Sequence, residues 1–88
     1  MNKERRKQLD EAIEKLNEAM SALEEAQNII CDCKDEEEEY RDNMPENLQG
    51  SEKYETAEEA IELMEQAIDD IDSLDIDSII SSIEGAKE

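Results

Sequence analysis

The chain has 88 residues, in which 28 Asp and Glu stand against 9 Lys and Arg for a net charge of −19, and it contains no His, Phe or Trp. That length allows one domain with little large apolar area to bury. A field of this sign repels nucleic acid and anionic lipid but attracts basic protein surfaces, including those that normally hold DNA or RNA. The charge is uneven: residues 1–34 carry 8 acids and 6 bases, residues 35–88 carry 20 acids and 3 bases.

The chain opens on a basic cluster, Lys3, Arg5, Arg6 and Lys7, which opposes the macrodipole of the helix it starts. It reads as an exposed solubilising end or as a contact for a phosphate or acidic partner. Leu9, Leu16, Leu23 and Ile30 then recur every seven residues, and Ala12, Ala19, Ala26, Cys33 and Tyr40 form a second line beside them. With Ile13 and Met20 they make one apolar stripe, which predicts a long amphipathic helix over about 3–42. The alanine line suits close approach of a second backbone, as in a tight antiparallel helix pair, so Cys33 is expected in the core and Cys31 beside the stripe. A C-x-C pair on a helix points its sulfurs apart, and reduced thiols fit an intracellular protein. Gln27 and Lys34 occupy the positions held earlier by Ile13 and Met20, and Glu37 continues the leucine line. Beyond Cys33 the helix therefore has less to bury. The five acids Asp35 to Glu39 surround the axis, as a solvated, frayed end or as a patch aimed at a basic partner or divalent cation.

The segment 43–51 holds the only proline, Pro45, with Asn43, Asn47 and Gly50, and it must turn. Pro45 can open a short turn, Gly50 can close it in the left-handed conformation, and Met44 and Leu48 are expected to cover the end of the bundle. Ser51 is the natural N-cap of a second helix over about 52–72, with Thr56 and Glu59 as an alternative capping box. Its stripe is Ala57, Ala60, Ile61, Met64, Ala67, Ile68, Ile71 and Leu74. From Ile76 the apolar positions Ile76, Ile79, Ile80, Ile83 and Ala86 are rotated by about 100°. Either the helix breaks near 72–77 and a short third helix fills 76–86, capped by Ser73, Asp75 or Asp77, or it continues with its apolar face turned to another subunit. The break is favoured, because Asp, Ser and Ile are mediocre interior helix formers.

These patterns predict an all-α fold: a single domain built as an antiparallel two-helix hairpin, dimerising into a helical bundle because one hairpin leaves its outer flanks wet. Motifs for chemistry are missing. A di-iron bundle needs Glu-x-x-His, zinc needs four N/S ligands, and the Asp69–Asp77 run lacks the glycine and closing Glu of an EF-hand. Nucleophile elbows and phosphate-cradling loops are absent, so no enzymatic activity, cofactor or metal is expected. No apolar run approaches the roughly 18 residues that span a bilayer, and the N-terminus lacks a hydrophobic signal core, so a cytoplasmic protein is expected. What remains is acidity. Carboxylates several ångströms apart along a helix resemble phosphates on a duplex edge. Glu36, Glu37, Glu38, Glu39, Glu58, Glu62, Glu65 and Asp69 are the candidate partner-binding residues. The alternative is charge that serves only solubility.

The centre of the chain, Asp35 to Glu55 with its D-N-M-P-E-N-L-Q-G-S-E core (Asp42 to Glu52), followed by Ala57 to Ile61 and Ala67-Ile68, resembles an uncharacterised family of small acidic helical proteins from phages and prophages of Firmicutes. The resemblance covers roughly residues 5–75 and brings no catalytic or binding residues. It implies a phage accessory protein that acts in the host cytoplasm on a host protein, such as a nuclease, a restriction or CRISPR enzyme, or a polymerase. Such a protein would use its acidity as a DNA mimic, in inhibition, anti-defence or host takeover.

Overall fold

A computed structural model describes residues 1–88 as an all-helical chain: α1 (Lys3–Asp42), a 3₁₀ turn (Glu46–Leu48), α2 (Glu52–Asp72) and α3 (Ile76–Lys87), with no strand. Local chemistry sets each boundary. Asn2 starts α1, its Oδ1 accepting from the Arg5 N–H at 2.8 Å, which satisfies one of the orphan donors of the first turn. α1 tightens at its end, where the Met44 N–H reaches the Arg41 carbonyl at 3.2 Å, and Pro45 prevents continuation. The Leu48 N–H then closes on the Pro45 carbonyl at 2.9 Å. Ser51 caps α2 through its hydroxyl, which accepts from the Tyr54 N–H and donates to the Leu48 carbonyl. Thr56 is no cap; its hydroxyl donates back to the Glu52 carbonyl at 2.8 Å. Ser73 ends α2 by donating its N–H to the Asp69 carbonyl at 3.0 Å, and Asp75 caps α3 by accepting from the Ser78 N–H at 3.0 Å. The stripe changes phase at that break.

Two expectations for the turn need correcting. No glycine has a positive φ, so Gly50 does not close the turn in the left-handed conformation. The N–H groups of Gln49 and Ser51, on either side of Gly50, instead bond the carbonyls of Glu46 and Leu48 at 3.2 and 3.0 Å, which right-handed backbone does without glycine's freedom. Met44 is buried as expected, but Leu48 is exposed, because the 3₁₀ turn carries it outward.

The chain forms two compact units, one of Met1–Glu25 with Leu74–Glu88 and the other of Ala26–Ser73. In the first unit α1 and α3 face each other through half-buried side chains only: Leu9, Ala12, Ile13, Leu16, Met20 and Leu23 against Ile76, Ile80 and Ile83. Its ends are tied by polar contacts. Arg6 Nε donates to the Lys87 carbonyl at 2.9 Å, and the Lys87 ammonium pairs with Asp10. Ile79 and Ala86, expected on the α3 stripe, are exposed; a twelve-residue helix against one neighbour covers only a narrow strip.

The second unit holds the buried core of Met44, Ala57 and Ile61. Around it lie Ala26, Ile30, Ala60, Met64, Ala67, Ile68 and Ile71, half-buried, while Leu74 beyond the end of α2 is exposed. The seam of this unit differs from the expected one. Cys33 and Tyr40, assigned to the seam with the alanines, are exposed, and so is Ala19 in the first unit; Cys31 is half-buried. The other shoulder of the Leu/Ile line is covered instead, at Gln27, Lys34 and Arg41. Gln27 Nε2 donates to the Ile68 carbonyl at 3.1 Å and to Asp72 Oδ1 at 2.6 Å. These long side chains lay their aliphatic stems along α2 and keep their polar heads at the edge, so polar residues can occupy a seam that the sequence reserves for apolar ones.

Candidate interaction surface

The eight acids predicted to meet a partner do not form one surface. A helix advances about 100° per residue, so four consecutive residues point in four directions. Glu36 and Glu39 are exposed, Glu37 and Glu38 half-buried. Glu36 and Glu37 line a shallow hollow with Cys33, Tyr40 and Met64. Glu38 turns the other way and pairs with Lys34, Nζ to Oε1, at 3.5 Å. Glu39 shares neither side.

Glu58, Glu62, Glu65 and Asp69 are brought together. All four are exposed, and their i, i+4, i+7, i+11 spacing puts them on one flank of α2, about 16 Å from end to end. The covered shoulder of α1 supplies cations beside this row. Lys34 holds its proton above the ordinary lysine value of 10.5, chiefly through the charge of Glu38, with Asp35 and Glu65 adding to it. Arg41 is likewise raised, first by its hydrogen bond to Asp42 (Nε to Oδ1, 3.1 Å) and then by the charges around it, Glu58 among them. Two residues of this flank were missed as sequence candidates: Lys34 and Arg41. Their signal was the seven-residue spacing of Gln27, Lys34 and Arg41, in phase with Ile13 and Met20.

The opposite side of this unit is chemically different. Tyr40 lies at its centre, touching three adjoining hollows: one with Glu37, Glu52, Lys53, Thr56 and Ala57, one with Cys33, Glu36 and Met64, and one with Asn43, Met44, Pro45 and Leu48. Ile29, Tyr40 and Leu63 expose large apolar area. Unit by unit, then, residues 26–73 carry an acidic flank and an apolar shoulder. No group of three or more His, Cys, Asp or Glu side chains is placed to hold a metal ion, and no helix is long and apolar enough to cross a membrane. No protein-family model, curated protein or solved structure matches the chain.

Proposed function

We propose that this is a non-enzymatic phage accessory protein that binds a basic host protein through its acidic α2 flank and blocks it, in anti-defence or host takeover. The carrying observation is the row Glu58, Glu62, Glu65 and Asp69, exposed and on one side of one rigid helix. A row of fixed carboxylates presents its charge without paying to order it, so it can occupy a groove built for phosphates and displace the counterions held there. The target chemistry is therefore a nucleic-acid-binding enzyme in the host cytoplasm, met without direct contact to nucleic acid or membrane. The working fold in this reading is an antiparallel hairpin with a short third helix, paired with a second copy into a bundle. Its support is the stepping of partners in opposite directions: Gln27 meets Ile68 and Asp72, Cys33 shares a hollow with Met64, and Tyr40 shares one with Lys53 and Thr56.

The test is capture from a Firmicutes lysate with tagged protein at low and high salt. One nucleic-acid enzyme should be retained at low salt, released as salt rises or as duplex DNA competes, and lost when Glu58, Glu62, Glu65 and Asp69 are changed to Lys with helicity unchanged. Capture that ignores these four reversals refutes the mimic. A second reading, a structural or assembly coiled coil kept soluble by its acids, is favoured by the exposed Ile29, Tyr40 and Leu63; it predicts a function that depends on those residues and ignores the acidic row.

A further inference from the structure

Within the first unit, we propose that α3 is a latch: it leaves α1 as one element, and the basic cluster at the start of α1 is the clasp that holds it closed. The inference stands apart from the acidic flank of the second unit, and it gives the basic cluster a partner inside the chain.

Three observations carry it. The first is burial. The unit of Met1–Glu25 and Leu74–Glu88 has no buried side chain, and the buried residues Met44, Ala57 and Ile61 all belong to the other unit. Closing α3 therefore removes little apolar area from water, and opening it costs less than parting the second unit around Ile61. Leu74, at the joint before α3, is exposed, so no buried side chain resists the swing. The second observation is the helix itself. α3 has twelve residues, among them four Ile, three Ser, Asp77 and Gly85. A segment so short and so poor in helix formers does not hold its shape alone in water, so α3 is helical because it lies on α1 and melts when it leaves.

The third is the place of the polar contacts. The last turn of a helix presents unpaired carbonyls and the negative end of the dipole, which favour a cation. Arg6 Nε donates to the Lys87 carbonyl there at 2.9 Å, and the Lys87 ammonium pairs with Asp10. Lys3, Arg6, Lys7 and Asp10 line one hollow, and their i, i+3, i+4, i+7 spacing sets them on one face of α1, with Arg5 on the opposite face. The clasp is open to solvent, so salt screens it. Low salt closes the latch; high salt loosens it and bares the α1 stripe of Leu9, Ile13, Leu16 and Met20.

Residue-resolved amide exchange of the whole chain, at low and high salt and across low urea, tests this. In the wild type the amides of Ile80 to Ala86 should share one protection factor, about tenfold or more below that of the amides around Ile61, and should depend less steeply on urea. Arg6→Gln should lower protection of α3 by about two- to fivefold. Arg5→Gln, which removes the same charge from the opposite face, should leave it unchanged. Salt should lower protection of α3 in the wild type, and by less in Arg6→Gln. Three results overturn the inference: protection of α3 equal to that around Ile61, a protected middle of α3 grading to loose ends as in fraying, or equal loosening by Arg5→Gln and Arg6→Gln.

Discussion

Ile61 and Leu63 sit two residues apart in α2, both large and aliphatic, and a reading of the sequence by composition treats them alike. Ile61 is 4% exposed and Leu63 is 63% exposed, which predicts unequal costs of truncation. Ile61→Ala removes three carbons, about 2.4 kcal/mol of transfer free energy at about 0.8 kcal/mol each. Met64, the next stripe position along α2, is itself half-buried, so the gap can partly refill, and the cavity adds little. The total is about 2–3 kcal/mol, in the lower half of the range for Ile→Ala. For a domain of this size that lowers the midpoint of thermal unfolding by about 10–20 °C. Leu63→Ala gives up about a third of the same burial and improves helix propensity slightly, so it costs about 1 kcal/mol or less. Helix ellipticity followed against temperature and urea, at a concentration low enough to hold the monomer, measures both. Equal losses, or a larger loss for Leu63→Ala, would show that α2 does not face α1 through Ile61 and would refute the seam described here.

Two further substitutions test local chemistry. A Cβ on Gly50 would meet nothing within 4 Å and its φ is not positive, so Gly50→Ala should stabilise the protein by about 0.4–1 kcal/mol through the unfolded chain's lost freedom; destabilisation in urea unfolding would mean that glycine is needed there after all. Gln27→Ala removes both bonds to the last turns of α2 and should cost about 1 kcal/mol, with amide exchange speeding up locally between Ile68 and Ser73; unchanged exchange there would count against the contact.

Alkaline pH gives a third check, and its sign follows from Lys34. Its folded-state value lies above 10.5 because of Glu38, so its contribution is fully present below 10.5 and is lost only as pH rises through the raised value. Unfolding stability of the wild type should therefore fall more steeply above that pH than stability of Lys34→Gln; parallel curves would refute the pairing.

The sequence by itself determined the helical class and the places where helices begin and end. Asn2, Pro45, Ser51, Ser73 and Asp75 act within a few residues of themselves, through a missing N–H or an accepting side chain, so their effect can be read without knowing the rest of the chain. It also showed that α1 has an apolar stripe with two shoulders. Which shoulder closes the seam was a tertiary decision, because it depends on where α2 lands some forty residues later in the chain. Composition favoured the alanines, Cys33 and Tyr40. The fold covers Gln27, Lys34 and Arg41 instead, because their stems can be buried while their polar ends stay at the rim, where Gln27 reaches Asp72 and Lys34 and Arg41 pair with Glu38 and Asp42 of their own helix. The same decision separated Glu36 and Glu37 from the acidic row of α2, whose four members share a flank by their spacing alone, and left the apolar shoulder uncovered.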